Sequence, residues 1–134
     1  MKERPTGIIR TLPYYGAGGT GADAEKAKAR AYRRMMRAFK EMERGEEGKY
    51  VLIAFEQKPT IEVLHCYILV GGEIRVRANI ASWERGDSIG GLHCWDDTTR
   101  HPKWLAVLTG PVVWPAEPVK RRGFQGFRYT EELF

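Results

Sequence analysis

Four cations, three aromatic rings and two glycines fall within Val119-Lys120-Arg121-Arg122-Gly123-Phe124-Gln125-Gly126-Phe127-Arg128-Tyr129. Cations neutralise phosphates, rings stack on bases, and glycines let a backbone approach closely. The same composition also suits a closing strand whose rings fill a core while its charges face water. Alternation along a strand puts Phe124 and Phe127 on opposite faces, so at least one ring belongs to the core. The run therefore reads as a strand with a basic edge formed by Lys120, Arg121, Arg122 and Arg128.

A second basic group has helical spacing. Residues 24–44 are rich in Ala, Lys, Arg, Glu and Met, all good helix formers, with Asp23 as N-cap and Gly45 as stop. At 100° per residue, Ala31, Tyr32, Met35, Met36, Phe39 and Met42 share one face. Lys26, Arg30, Arg33, Arg37, Lys40 and Arg44 gather opposite, and Glu25, Glu41 and Glu43 fall toward the flanks. A solvated helix normally mixes signs on its outer face. Such a row fits a phosphate backbone or an acidic protein surface, and equally a solvated face with i,i+4 support.

Trp83 and Trp95 flank a long polar connection over residues 84–103 and are the candidate base-stacking pair, beside Arg85 or Arg100. Trp104 and Trp114 bracket apolar strands and are expected to pack. Gly16-Ala17-Gly18-Gly19-Thr20-Gly21 satisfies G-x-G-x-x-G literally, with Glu56 as the following acid. The acid lies too far along for a dinucleotide fingerprint, and a flexible linker explains the glycines. His65-Cys66, His93-Cys94 and His101 with Asp96 and Asp97 offer zinc donors, but without C-x-x-C or H-x₃-H spacing. Cys94 with His93 or His101, and Asp87, Asp96 or Asp97 as acids, would be an enzyme's parts, yet nothing fixes their geometry. No catalytic residue, metal or cofactor is assigned.

The elements that must position these groups are one helix and several strands. At 134 residues the chain is one domain by size, with 43% hydrophobic residues. Residues 1–23 read as a tail and glycine-rich linker with one short strand at Gly7–Thr11, and residues 24–134 as a single domain. Residues 49–56 form an apolar run suited to a strand covered on both faces. Residues 61–70 and 73–83 follow, joined by Gly71-Gly72, a two-residue hairpin signal. Ile74, Val76, Ala78 and Ile80 alternate with polar residues, as in an antiparallel sheet. Residues 104–109, 112–114 and 123–129 complete the strands. The expected class is α+β: one long N-terminal helix packed on a curled antiparallel sheet or small barrel.

Residues 104–129, with Leu-Thr-Gly-Pro-Val-Val, Pro118-Val119-Lys120 and Gly123-Phe-Gln-Gly-Phe-Arg, resemble the closing strands of PUA-like barrels of the ASCH and EVE type. That resemblance implies RNA or modified-base binding in a pocket beside the barrel. The early Gly-Lys-Lys-Thr-x-Glu-x-Arg element of ASCH domains is absent, so no catalytic residue carries over. Arg122–Tyr129 also approaches the aromatic strand of the RNA-recognition motif, but Gln125 is extra and the strand order differs.

Twenty-two Lys plus Arg against 17 Asp plus Glu give a net charge of +5, which favours an anionic partner. The two cysteines fit a reducing cytoplasm, and no apolar run is long enough to span a membrane. The leading expectation is a non-catalytic, cytoplasmic nucleic-acid-binding protein for RNA or DNA, with a base pocket allowed. The alternative is a small protein-binding module or inhibitor, of phage or mobile-element type, docking on an acidic partner.

Overall fold

Among the described residues, eight segments satisfy backbone hydrogen bonds between strands, and one does so within a helix. The computed structural model describes residues 5–11, 22–45, 50–86, 94–96, 103–124 and 126–134; the side chains of 22–24, 27, 28, 31, 50 and 94–96 lie outside the described set. The order is β1 (Gly7–Thr11), α1 (Ala22–Glu43), β2 (Tyr50–Phe55), β3 (His65–Val70), β4 (Glu73–Arg85), β5 (Cys94–Asp96), β6 (Trp104–Val113), β7 (Val119–Lys120) and β8 (Phe127–Thr130). They form one sheet ordered β5-β2-β6-β4-β3-β1-β8, with β7 added to β4.

This corrects the expected fold class. In place of α+β with a long helix on a curled antiparallel sheet or small PUA-like barrel, the described residues are mostly β, one large mixed sheet with a single helix. β1 runs parallel to β3, and β2 parallel to β5. Parallel neighbours need long crossovers, and that between β1 and β3 contains α1 and β2. Residues 7–11, within the expected tail, lie between β3 and β8 with Ile8 fully buried. β5 had no counterpart in the sequence reading. β6 runs as one strand through the cis Gly110–Pro111 bond, where two strands were expected.

Gly71 and Gly72 both have positive φ, 61° and 80°, which fits the tight turn between β3 and β4. Opposite β3, β4 carries one extra residue: Ile68 faces Val76 but Leu69 faces Ile74. The bulge at Arg75 breaks the apparent alternation. Val76 and Ala78 therefore join Ile8, Cys66, Ile68 and Val70 in the main core, whereas Ile74 joins Ile9, Tyr67 and Leu69 on the other face.

The main core is completed by Val51, Ile53 and Phe55 of β2, Ala106 and Leu108 of β6, and Met35, Ala38, Phe39 and Met42 of α1. Burial of Phe39 alone contributes roughly 1.5–3 kcal/mol. The helix begins at Ala22, so Asp23 sits inside it instead of capping it. It ends at Gly45, whose φ of 72° and N–H bond to the Met42 carbonyl (3.0 Å) form a left-handed cap. The second face is covered by Val119, Phe124, Leu133 and Phe134. There Tyr67 accepts a hydrogen bond from Leu133 N–H (2.9 Å) and stacks edge-on against Phe134 at 5.1 Å. Arg77, beneath the same segment, bonds the Phe134 main-chain oxygen and pairs with Glu132 at 3.3 Å.

Gly7 marks the tightest crossing of β1 over β3. A Cβ there would lie 2.9 Å from the His65 carbonyl and 3.1 Å from the Tyr67 ring. Gly7→Ala is expected to destabilise the fold by about 1–3 kcal/mol, because the obstructing atom is backbone and cannot rotate away. A denaturant midpoint unchanged from the parent protein would refute this.

Candidate functional site

The core stripe of α1 fixes which way its cations point. With Met35, Phe39 and Met42 against the sheet, Lys26, Arg30, Arg33, Arg37, Lys40 and Arg44 are all exposed, and Arg34 with them. Arg37 and Glu41 stand one turn apart yet make no ion pair. Among the described residues, Lys26, Arg30, Arg33, Arg37 and Lys40 have no carboxylate partner. Glu43 is held elsewhere, accepting a hydrogen bond from Trp114 Nε1 at 3.0 Å. Trp114 in turn meets the Phe39 ring edge-on at 6.4 Å.

The second basic group divides. Lys120 stands opposite Glu73 in the β4–β7 ladder and the Arg121 N–H bonds the Gly72 carbonyl at 3.0 Å, so both sit at the β3–β4 hairpin. Directly opposed residues share a face, so Lys120 projects with Glu73 toward the helix side. A cleft of about 410 Å³ separates hairpin from helix, lined by Glu25, Ala29, Tyr32, Val70, Gly71, Glu73 and Arg75. In it Arg75 lies 5.6 Å from the Tyr32 ring centroid and is paired with Glu73, which raises its pKa further above the usual arginine value. Arg122 is exposed nearby in sequence. Arg128 faces away, opposed to Ile9 and 4.5 Å from the Phe124 centroid. Phe124 packs in the second core and Phe127 against the main one, on opposite faces.

Aromatic rings collect at the other end of the sheet, away from Trp114. Phe55 meets Trp83 edge-on at 5.0 Å and Phe127 at 6.0 Å, and Phe127 meets Tyr129 at 5.4 Å. These contacts join β2 to β8, strands that share no backbone ladder. Arg10 reinforces the join: Nε donates to the Ala54 carbonyl at 3.1 Å, and the guanidinium lies 5.4 Å from Phe55. A cleft of about 710 Å³ opens there, lined by Arg10, Phe55, Glu56, Gln57, Gly126, Phe127 and Tyr129. Close by, the half-buried Trp104 carries Lys58 at 4.8 Å and Arg85 at 5.3 Å from its ring. The arrangement offers ring faces, a guanidinium, a carboxamide and a carboxylate, which suit a polar planar ligand.

Trp83 is half-buried against the core, opposed to Ala106, with one edge taken by Phe55. Trp95 lies in β5 but its side chain is outside the described residues, as are Cys94 and Asp96. The glycine motif at 16–21, Asp87, His93, Asp97, Arg100 and His101 are outside them too. Cys66 is fully buried, and His65 Nδ1 is 3.0 Å from Asn79 Oδ1. Among the described residues no group of three or more His, Cys, Asp or Glu could hold a metal, and no helix is long and apolar enough to cross a membrane. Arg10, Gln57, Lys58, Trp104 and Tyr129 escaped the sequence reading as site residues. Only the β1–β8 ladder, with Ile8 opposite Tyr129 and Arg10 opposite Phe127, and the β2–β8 join bring most of them together. Compared with protein-family models, curated proteins and solved structures, the chain matches none.

Tyr129 gives this end a spectroscopic handle. Its hydroxyl lies 3.5 Å from Thr60 Oγ1 and accepts from the N–H groups of Thr60 (3.0 Å) and Ile61 (3.4 Å). The Thr60 side-chain bond foremost, then those backbone donors, hold the phenol below its ordinary value of 10.0. The folded state thus favours phenolate. Any stability it contributes is complete above the unfolded value and lost as pH falls through the folded one. Ultraviolet titration should show one tyrosine ionising early, absent in Tyr129→Phe and shifted upward in Thr60→Val. An unshifted titration in both variants would contradict the assignment.

Proposed function

We propose that this chain is a cytoplasmic, non-catalytic nucleic-acid-binding protein whose outer face of α1 meets the phosphate backbone. One observation carries the reading: a row of exposed cations, of which Lys26, Arg30, Arg33, Arg37 and Lys40 have no carboxylate partner among the described residues. Lys26 and Arg30, Arg30 and Arg34, and Arg33 and Arg37 are like charges one turn apart, each repelling by roughly 0.2–0.5 kcal/mol. A polyanion along the row relieves that repulsion and releases its own counterions. Lys120 and Arg121, at the same end of the molecule, add to the positive field. The buried thiol of Cys66 suits a reducing compartment.

The expected binding is salt-dependent. Replacing Arg30, Arg33 and Arg37 together by Gln should reduce the slope of log affinity against log salt by roughly 2–3, since each phosphate contact contributes about 0.7–0.9. All three are exposed on the face opposite the core, so circular dichroism and melting should stay unchanged. Absence of RNA and DNA binding at low salt, or a slope unaffected by the substitutions, would overturn the proposal. A nuclease-resistant protein partner captured through the same arginines would favour docking on an acidic protein instead.

A further inference from the structure

Resting on that reading, the geometry of α1 points to a narrower ligand class: we infer that it takes a single nucleic-acid strand and discriminates against duplexes. The row Lys26, Arg30, Arg33, Arg37, Lys40, Arg44 advances by alternating steps of four and three residues. On a helix that places all six within an arc of about 80°, one cation every ~5 Å over ~27 Å. The row is a line along the crest, suited to roughly five phosphates in succession.

Carboxylates stand on its flanks. Glu25 and Glu43 lie about 100° to one side of the row's centre, one near each end. Glu41 lies about 60° to the other side, with Arg34 beside it. Glu43 is anchored by Trp114, and Glu25 lines the cleft toward the hairpin, where Glu73 stands opposite. A phosphate path crossing from α1 toward Lys120 would pass Glu25 and the Glu73–Arg75 pair, a stretch of net negative charge, so the favourable direction runs along the helix.

Duplexes present two phosphate strands. A helix with its side chains is about 10–12 Å across, close to the ~12 Å width of the B-form major groove, so both walls would meet its flanks. The second wall would then lie against Glu25 and Glu43. Bridging the ~6 Å minor groove brings the same second strand closer still. Phosphate beside carboxylate is repulsive and, with water displaced, costly. A single strand lies on the crest alone and avoids that contact. DNA and RNA share the required backbone chemistry.

Fluorescence anisotropy at fixed salt tests this with labelled mixed-sequence strands of about 20 nucleotides, as DNA and as RNA, and their blunt duplexes. Single strands are expected to bind at least about tenfold more tightly than duplexes. The double variant Glu25→Gln/Glu43→Gln, which keeps an acceptor for Trp114 Nε1, should raise duplex affinity several-fold more than single-strand affinity, narrowing the gap. Equal or tighter duplex binding by the parent protein overturns the inference while leaving nucleic-acid binding intact. A double variant that strengthens both ligands equally also overturns it, because the flanking carboxylates would then not discriminate. Failure of every probe to bind overturns both this inference and the reading on which it rests.

Discussion

β3 must be buried on both faces, and most of the architecture follows from that. Cys66, Ile68 and Val70 point one way, Tyr67 and Leu69 the other, and all five are nearly inaccessible to water. A strand of this kind cannot lie at the surface of a two-layer protein. It needs neighbours along both edges, supplied by β1 and β4, and a cover over each face. On one side the inner strands and α1 provide it. On the other the cover is Val119, Phe124, Leu133 and Phe134, which is why the C-terminal run crosses the sheet before and after pairing with β1. The bulge at Arg75 belongs to the same solution. By inserting one residue it turns Ile74 toward Tyr67 and Leu69, and it leaves Arg75 beside Tyr32 of the helix.

Local patterns in the sequence expose some of this and conceal the rest. The Gly71-Gly72 hairpin is legible because two positive-φ residues between apolar runs have few alternatives. The helix is legible because period 3.6 separates Phe39 and Met42 from Arg33 and Arg37 over several turns. Strand partners are another matter. Nothing within Gly7–Thr11 says that it lies parallel to His65–Val70, since that pairing depends on burying Ile8 beside Cys66 across a crossover. The alternation Ile74, Val76, Ala78 suggests one face and hides a bulge, because a bulge alters register without altering composition. β5, with three residues, is too short to carry a period.

The aromatic end illustrates the same limit for the site. Phe55, Phe127 and Tyr129 converge because β2 and β8 approach without a ladder, and their rings with Arg10 fill the join. Backbone hydrogen bonds would have closed this seam with little room between strands. Side chains close it less completely, so a cleft remains where the ladder is missing. Trp104 begins an apolar strand, which predicts packing, and it does pack against the main core. Its ring also carries Lys58 and Arg85, because the segment after β2 and the end of β4 are gathered at one rim of the sheet.

Core packing and surface charge on α1 are one constraint seen from two sides. Met35, Phe39 and Met42 set the rotation of the helix against the sheet, and the Glu43–Trp114 bond with the Gly45 cap sets where it stops. A shift of one residue would turn every side chain by about 100°, carrying Glu25 and Glu43 toward the crest and the cations toward a flank. The apolar stripe forbids that shift, since it would carry Phe39 to the exposed position of Lys40 and Glu41 to the buried position of Met42. The direction of the cation row is therefore held as firmly as the core itself. Because the row departs little from a straight line over its length, a rigid helix presents these charges to a ligand at fixed spacing, with little conformational entropy left to lose in aligning them.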